Sequence, residues 1–322
     1  MTPPRPGLFD LQVNGFAGVD YNHGETSADD LNTSFAKMRQ TGVVGCLPTI
    51  ITSSTEHFAR CAQALITCQN KLIAGIHMEG PYISPVDGPR GAHDLAHVCD
   101  ASIEDFKIRQ DAAQGQIRLV TLAPEVPGAL ALTEYLANEG ITIGIGHSAA
   151  DSQQIADAAS AGATHSTHLG NGCFSRMDRH HNSLWPQLAC DNLIPGLIVD
   201  GHHLTQAFVQ SVIKAKSPQR SVLVTDAVAA AASPPGIYTL ADWEVERAAD
   251  GKVTAVGGGH LAGSSLTLDD AIERTCRWTG LDFETVWAMA STQAAAVVGL
   301  EISETVATDW NADSRTLEIL TT

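Results

Sequence analysis

Basic residues are scarce in this chain of 322: 19 Lys and Arg stand against 36 Asp and Glu, a formal net charge of −17. A chain so acidic repels nucleic acid and anionic membranes, although one or two local cations and backbone N–H groups could still grip a small anion. No run of about 18 apolar residues occurs, so no membrane-spanning helix is expected. Residues 1–7 lack the basic-then-apolar pattern of a secretory leader, and the expected location is cytoplasmic. The seven cysteines are odd in number and lack C-x-x-C spacing, which reads as reduced thiols. No G-x-G-x-x-G follows the first apolar run and no G-x-S-x-G elbow is present. These two absences argue against a dinucleotide-binding sheet and against a serine hydrolase.

What is present is a 44% hydrophobic fraction, punctuated by 28 Gly and 14 Pro. That supports a sizeable core and excludes disorder as the main state. No repeat of fixed period occurs. Instead, short β-rich runs end in Gly, Pro or a polar residue and give way to amphipathic or Ala-rich stretches. Eight strands are expected, at 8–13, 43–49, 72–77, 117–122, 141–145, 163–167, 196–199 and 222–225. Helices are expected between them at 28–40, 55–70, 103–113, 129–138, 152–161 and 205–215, with Ser54 and Asp151 at N-cap positions. Parallel strands need crossover helices, so eight such units imply an α/β fold, a (β/α)8 TIM-like barrel.

Beyond residue 235 the alternation stops. Strands at 238–245 and 252–256 flank an Asp250-Gly251 turn, helices follow at 268–279 and 283–298, and a last strand is expected at 316–320. The expected organisation is the main part of the barrel over 7–235 and a small β hairpin insertion over 236–262. C-terminal barrel helices then cover 263–300, and a tail over 301–322 adds a strand to a β appendage.

In α/β barrels the working side chains project from the C-terminal ends of strands. Those ends carry Gln12 and Asn14, Glu79, His147, His168, His202 and His203, and Asp226. Two His and one carboxylate from separate strands are a complete protein ligand set for a catalytic divalent ion with an open position, and a further carboxylate could take a proton from water. That combination points to metal-assisted hydrolysis. Plainer readings exist: a lone strand-end His is commonly structural, Asp226 could cap a helix, and Glu79 could pair with Arg90.

Four segments then stand out in order: Gly75-Ile76-His77-Met78-Glu79-Gly80-Pro81-Tyr82, Gly146-His147-Ser148, Thr167-His168-Leu169-Gly170-Asn171 and Val224-Thr225-Asp226-Ala227. Together they resemble the signature segments of the N-acetylglucosamine-6-phosphate deacetylase family of the amidohydrolase superfamily. Leu47-Pro48-Thr49, Gly91-Ala92-His93, Asp200-Gly201-His202-His203 and Ala262-Gly263-Ser264 also match in order and approximate spacing, so the resemblance spans about Leu8 to Gly299. It implies a deformed (β/α)8 barrel, a bound divalent metal and a homodimer. It also implies a β-sandwich, which must be reduced here or completed by a partner chain. Carried over by position, Glu79, His147 and His168 are the metal ligands, and Asp226 is the general base that later protonates the leaving amine. His93 polarises the amide carbonyl, the backbone N–H groups of Asn171 and Gly172 hold a sugar phosphate, and His203 contacts substrate. Arg179 falls where the phosphate-binding Arg belongs, with Arg176 as the alternative and Asp178 between them. His77 and His165 match no ligand position and are read as structural.

Binuclear amidohydrolases carry His-x-His on the first strand. Gln12 and Asn14 stand there in this chain, and neutral amides are poor ligands for a second Zn2+. One divalent ion per subunit is therefore expected, Zn2+ first, with Fe2+ or another divalent ion as alternatives. The resemblance implies deacetylation of N-acetylglucosamine 6-phosphate to glucosamine 6-phosphate and acetate. The alternative substrate is an unphosphorylated N-acetylhexosamine or another N-acyl amine, and the alternative class is a non-catalytic sugar-binding barrel. Asn171-Gly172-Cys173 and the loop over 174–185 depart from the family pattern, and substrate choice stays open there.

Overall fold

The computed structural model describes residues 4–320; the leader reading at 1–3 and the end of the tail at 321–322 fall outside the described residues. Its centre is an eight-stranded parallel sheet. The strands are Leu8–Val13, Val43–Ile51, Ile76–Glu79, Ile117–Leu122, Thr142–Ile145, His165–Ser166, Ile194–Leu197 and Val222–Leu223, neighbours in chain order. The sheet all but closes on itself at a seam just past the eighth strand. There Ala227 bridges Val13, the Asp226 N–H donates to the Gln12 carbonyl at 2.9 Å, and the Asn14 N–H donates to the Ala227 carbonyl at 2.7 Å. The seam therefore brings the first-strand amides of Gln12 and Asn14 alongside Asp226.

Helices Ala28–Arg39, Thr55–Thr67, Ile103–Ala112, Ala129–Asn138, Ser152–Ala161 and Gln206–Lys216 occupy the crossovers. Side-chain caps set the starts of all but Ala129–Asn138, which begins at Gly128. Ser54 accepts from the His57 N–H, and Asp151 forms a reciprocal capping box with Gln154, each satisfying donors that a first turn leaves free. Their inner faces join the strands in one apolar core that includes Phe35, Phe58, Leu65, Phe106, Leu132 and Ile155.

Several boundaries differ from expectation, each for a local reason. The third strand begins at Ile76 rather than residue 72, because the preceding apolar run makes only an isolated bridge, Cys46 to Ile73. The expected strand at 238–245 is two strands, Gly236–Leu240 and Trp243–Arg247, with Ala241 at φ +51° in the turn between them. With Val253–Ala255 they form a three-stranded antiparallel sheet. The expected helix at 283–298 is two, Phe283–Met289 and Thr292–Val297, broken where the Ser291 hydroxyl reaches the Gly7 carbonyl at 2.6 Å. The strand Thr316–Leu320 is present as expected. It pairs with an unforeseen strand, Thr305–Asn311, which also pairs with Arg5–Pro6 to make a small antiparallel appendage.

Candidate active site

Glu79 ends the third strand, while His147 and His168 each lie two residues beyond the fifth and sixth. Their side chains converge. Glu79 Oε1 lies 2.9 Å from His168 Nε2 and 3.3 Å from His147 Nε2, and the two Nε2 atoms are 3.0 Å apart. All three residues are buried, and the three donor atoms lie within 4.8 Å of one another. The His147 Nδ1–H donates to the Pro89 carbonyl at 2.9 Å, which keeps the neutral proton on Nδ1 and turns the Nε2 lone pair toward the cluster. Two imidazole nitrogens and a carboxylate oxygen packed this closely fit a divalent cation, the charge that satisfies all three lone pairs together. Burial alone would raise the Glu79 carboxyl, but hydrogen bonds and charge from His147 and His168 hold it well below the usual carboxylate range. Burial opposes protonation of His168, and the Glu79 carboxylate outweighs it, so that imidazole is shifted upward.

The backbone is strained at the same places. His147, His168 and Asp226 have φ of +50°, +30° and +50°. Non-glycine residues rarely adopt such angles, and each costs on the order of 1–3 kcal/mol, which the surrounding packing must sustain. Gly172, at φ +55°, packs so close that a Cβ there would sit 2.9 Å from His147 Nδ1. Only glycine lets the chain pass that imidazole.

Asp226 sits beside the cluster. Its Oδ1 accepts from Asn14 Nδ2 at 2.7 Å and from Gln12 Nε2 at 3.2 Å, and Gln12 Nε2 also donates to Glu79 Oε1 at 2.9 Å. Burial and then the Glu79 charge push the Asp226 carboxyl up to about 6. On another flank, His93 Nε2 lies 3.2 Å from His147 Nε2, and His93 Nδ1 lies 2.8 Å from the Thr52 hydroxyl. Burial and then the neighbouring His147 push His93 down to about 3, so it is neutral. Because His147 presents its Nε2 lone pair to His93 Nε2 at 3.2 Å, that contact calls for the single proton of a neutral His93 on Nε2, facing the cluster.

A cavity of about 760 Å3 opens over these groups, walled by Arg90, Asn171, Gly172, His203, Leu240 and His260 among others. The structure thus brings Glu79, His147, His168, Asp226, His93, Asn171, Gly172 and His203 to one place. It does not bring Arg179 there. Arg179 is exposed on the loop, and Arg176 lines a neighbouring cavity with Asp151 and Asp178. Arg90 reaches the cavity wall but bonds the Pro85 carbonyl and Asp87, leaving Glu79 to the imidazoles. His202 turns outward to the Asp250 carbonyl, and Asp226 caps no helix. His77 spans the Thr49 and Thr121 hydroxyls at 3.2 and 2.7 Å inside the barrel, and burial lowers it to about 4. His165 is likewise buried and pushed down to about 3. Both act in the scaffold.

Sequence reasoning missed the groups that hold the site residues in place. Thr52 and the Pro89 carbonyl orient His93 and His147. Glu125 accepts from the Ser148 hydroxyl at 2.7 Å and the Ala149 N–H at 2.5 Å, bracing the strained turn after His147.

Fold and site together define a metal-dependent hydrolase of the amidohydrolase type. No family model matches the chain. Among curated proteins it is similar to the N-acetylglucosamine-6-phosphate deacetylases of Vibrio furnissii, 32% identical over 92% of this chain and 74% of the relative, and of Homo sapiens, 32% identical over 96% and 77%. The chain belongs to the N-acetylglucosamine-6-phosphate deacetylase family. It is also similar to the N-acetylgalactosamine-6-phosphate deacetylase of Escherichia coli O157:H7, 34% identical over 92% of this chain and 78% of that protein. Among solved structures, the N-acetyl-D-glucosamine-6-phosphate deacetylase of Mycobacterium smegmatis, a mutant in complex with N-acetyl-D-glucosamine-6-phosphate, superposes with a TM-score of 0.90 at 26% identity, over 98% of this chain and 85% of that one. The Pasteurella multocida enzyme gives 0.86 at 26% identity, over 97% and 83%.

Proposed function

We propose that the protein deacetylates N-acetylglucosamine 6-phosphate, releasing glucosamine 6-phosphate and acetate. The observation that carries this reading is the convergence of Glu79, His147 and His168 on one buried point with Asp226 and His93 on its flanks. A divalent ion held by those three residues, zinc in our reading, supplies Lewis acidity to the acyl carbonyl and lowers the pKa of water. Asp226 takes the proton of the attacking water and returns it to the amide nitrogen, which leaves only once protonated. His93 offers its Nε2–H to the acyl oxygen as negative charge develops, and such a donor is worth about 3–4 kcal/mol. The Gly172 N–H holds the phosphate, since the Asn171 N–H is already given to the His168 carbonyl at 3.0 Å and Arg179 lies outside the cavity, and His203 contacts the sugar. The enzyme is read as a cytoplasmic homodimer, a location supported by seven cysteines that are all free.

Asp226→Asn in the zinc-loaded protein should cut the rate of acetate release by about 100- to 10,000-fold while leaving metal content and circular dichroism unchanged. A rate near that of the unaltered enzyme would refute the base assignment. If the unaltered, zinc-loaded enzyme released no acetate from the phosphorylated sugar, the function itself would be refuted. A second reading, N-acetylgalactosamine 6-phosphate, is favoured by the similarity to enzymes of that name. The ratio of kcat/KM for the two C4 epimers decides between them.

A further inference from the structure

Beyond the ligands and the base, one more buried carboxylate acts on the cavity. Asp200 follows the seventh strand. Its Oδ1 accepts the N–H groups of His202 and His203, each at 2.8 Å, and its Oδ2 lies 2.6 Å from His203 Nδ1. Both side chains are almost fully enclosed, 9% exposed for Asp200 and 6% for His203. Burial alone would raise the Asp200 carboxyl, but the hydrogen bond and charge of His203, with the two main-chain N–H groups, hold it below the usual carboxylate range. An ionised carboxylate can only accept, so the proton between the pair belongs to His203 Nδ1. His203 lines the same cavity as Asp226 and Asn14, and among the described residues its Nε2 has no hydrogen-bond partner.

We infer that Asp200 is a positioning residue for substrate capture. By fixing the Nδ1 proton and the ring plane of His203, it presents Nε2 to an oxygen of the sugar substrate. This rests on the proposed function for the identity of the substrate, but not for the state of the imidazole. The two jobs of the carboxylate are separable. Oδ1 builds the turn, which the side-chain oxygen of an asparagine would preserve. Oδ2 alone sets the imidazole. In Asp200→Asn, Nδ2–H would face Nδ1–H, so the neutral ring must carry its proton on Nε2 instead, the wrong-tautomer effect known when a buried Asp behind a functional His becomes Asn.

The test uses the full-length, zinc-loaded protein with 15N-labelled histidine. The His203 resonances are assigned by their loss in His203→Ala. In the unaltered protein, Nδ1 should be protonated and hydrogen-bonded; in Asp200→Asn the neutral ring should protonate on Nε2. An unaltered His203 with its proton on Nε2 and a bare Nδ1 would overturn the inference, with or without a measurable activity. Kinetically, Asp200→Asn should lower kcat/KM by about 10- to 100-fold, the range found when the group that orients an imidazole is lost, mostly through KM. In a His203→Ala background the same change should have no further effect. An equal loss in that background would show that Asp200 acts through the turn alone and would sink the proposal. If the resonances behave as stated while the unaltered enzyme releases no acetate from the phosphorylated sugar, it is the proposed function that fails.

Discussion

The two oxygens of Asp226 are not equivalent. Asn14 and Gln12 both donate to Oδ1, which pins one oxygen and leaves Oδ2 free to exchange protons. The first-strand amides that are poor ligands for a second ion thereby hold the Asp226 carboxylate in place. Asn14→Leu removes the shorter of these bonds, 2.7 Å, from a buried carboxylate. A hydrogen bond to a charged group contributes about 1.5–3 kcal/mol. The expected result is a fall in kcat of about 10- to 100-fold with KM and bound metal unchanged, measured by steady-state acetate release and elemental analysis. A kcat within twofold of the unaltered enzyme would show that Oδ1 needs no pin. At this scale the convergence of Glu79, His147 and His168 beside Asp226 was legible because each is a polar side chain at a strand end, and illegible where the partner is a main-chain carbonyl. The Pro89 carbonyl sets the His147 proton, and a carbonyl leaves no mark in a sequence. Thr52 has the same difficulty, because its hydroxyl matters only through the distant His93.

Elements of the barrel were legible because an apolar run followed by a capped helix has few alternative readings. The three-stranded antiparallel sheet over 236–255 was less so. Its first turn, Ala241-Asp242, carries neither Gly nor Pro, so two strands read as one. The strand Thr305–Asn311 escaped notice because it is mostly polar and gains its partners only from the two ends of the chain. A second apolar cluster, separate from the main core, joins the three-stranded sheet to the barrel: Leu240, Val245, Val253, Ala255 and Ala262 pack on Ile51 and Val228. It also walls the cavity through Leu240. A unit held to the barrel by so small a cluster can open without it. Val245→Ala, at a fully buried position, should destabilise that unit by about 0.5–3 kcal/mol. Limited proteolysis should then cut near Asp250-Gly251 several-fold faster, while the urea midpoint of the whole protein stays within error. A matching drop in the global midpoint would show that this sheet and the barrel unfold as one.

Across the whole molecule, the seam that closes the barrel carries a buried carboxyl whose titration couples folding to pH. Asp10 Oδ1 accepts the N–H groups of Gln12 and Thr225 at 3.2 and 3.3 Å, and Oδ2 meets the Thr225 hydroxyl at 2.5 Å, tying the first strand to the eighth. Burial pushes its carboxyl from 3.8 up to about 7, because those bonds only partly replace water. Below the unfolded value both states hold the proton and Asp10 imposes no penalty. Between about 4 and 7 the unfolded chain loses the proton first, so stability falls as pH rises; above 7 the full penalty persists. At 1.36 kcal/mol per pH unit the penalty approaches about 4 kcal/mol. Asp10→Asn keeps the geometry, since its oxygen can accept both N–H groups and its amide can donate to the Thr225 hydroxyl. Urea unfolding should therefore show the variant matching the unaltered protein near pH 4 and exceeding it in stability near pH 8. Taking the difference between the two proteins at each pH cancels the mounting self-repulsion of a chain at −17 and the pH dependence of metal binding. If that difference were the same at both pH values, Asp10 would be ionised throughout and the seam would owe its closure to an anion rather than to a protonated acid.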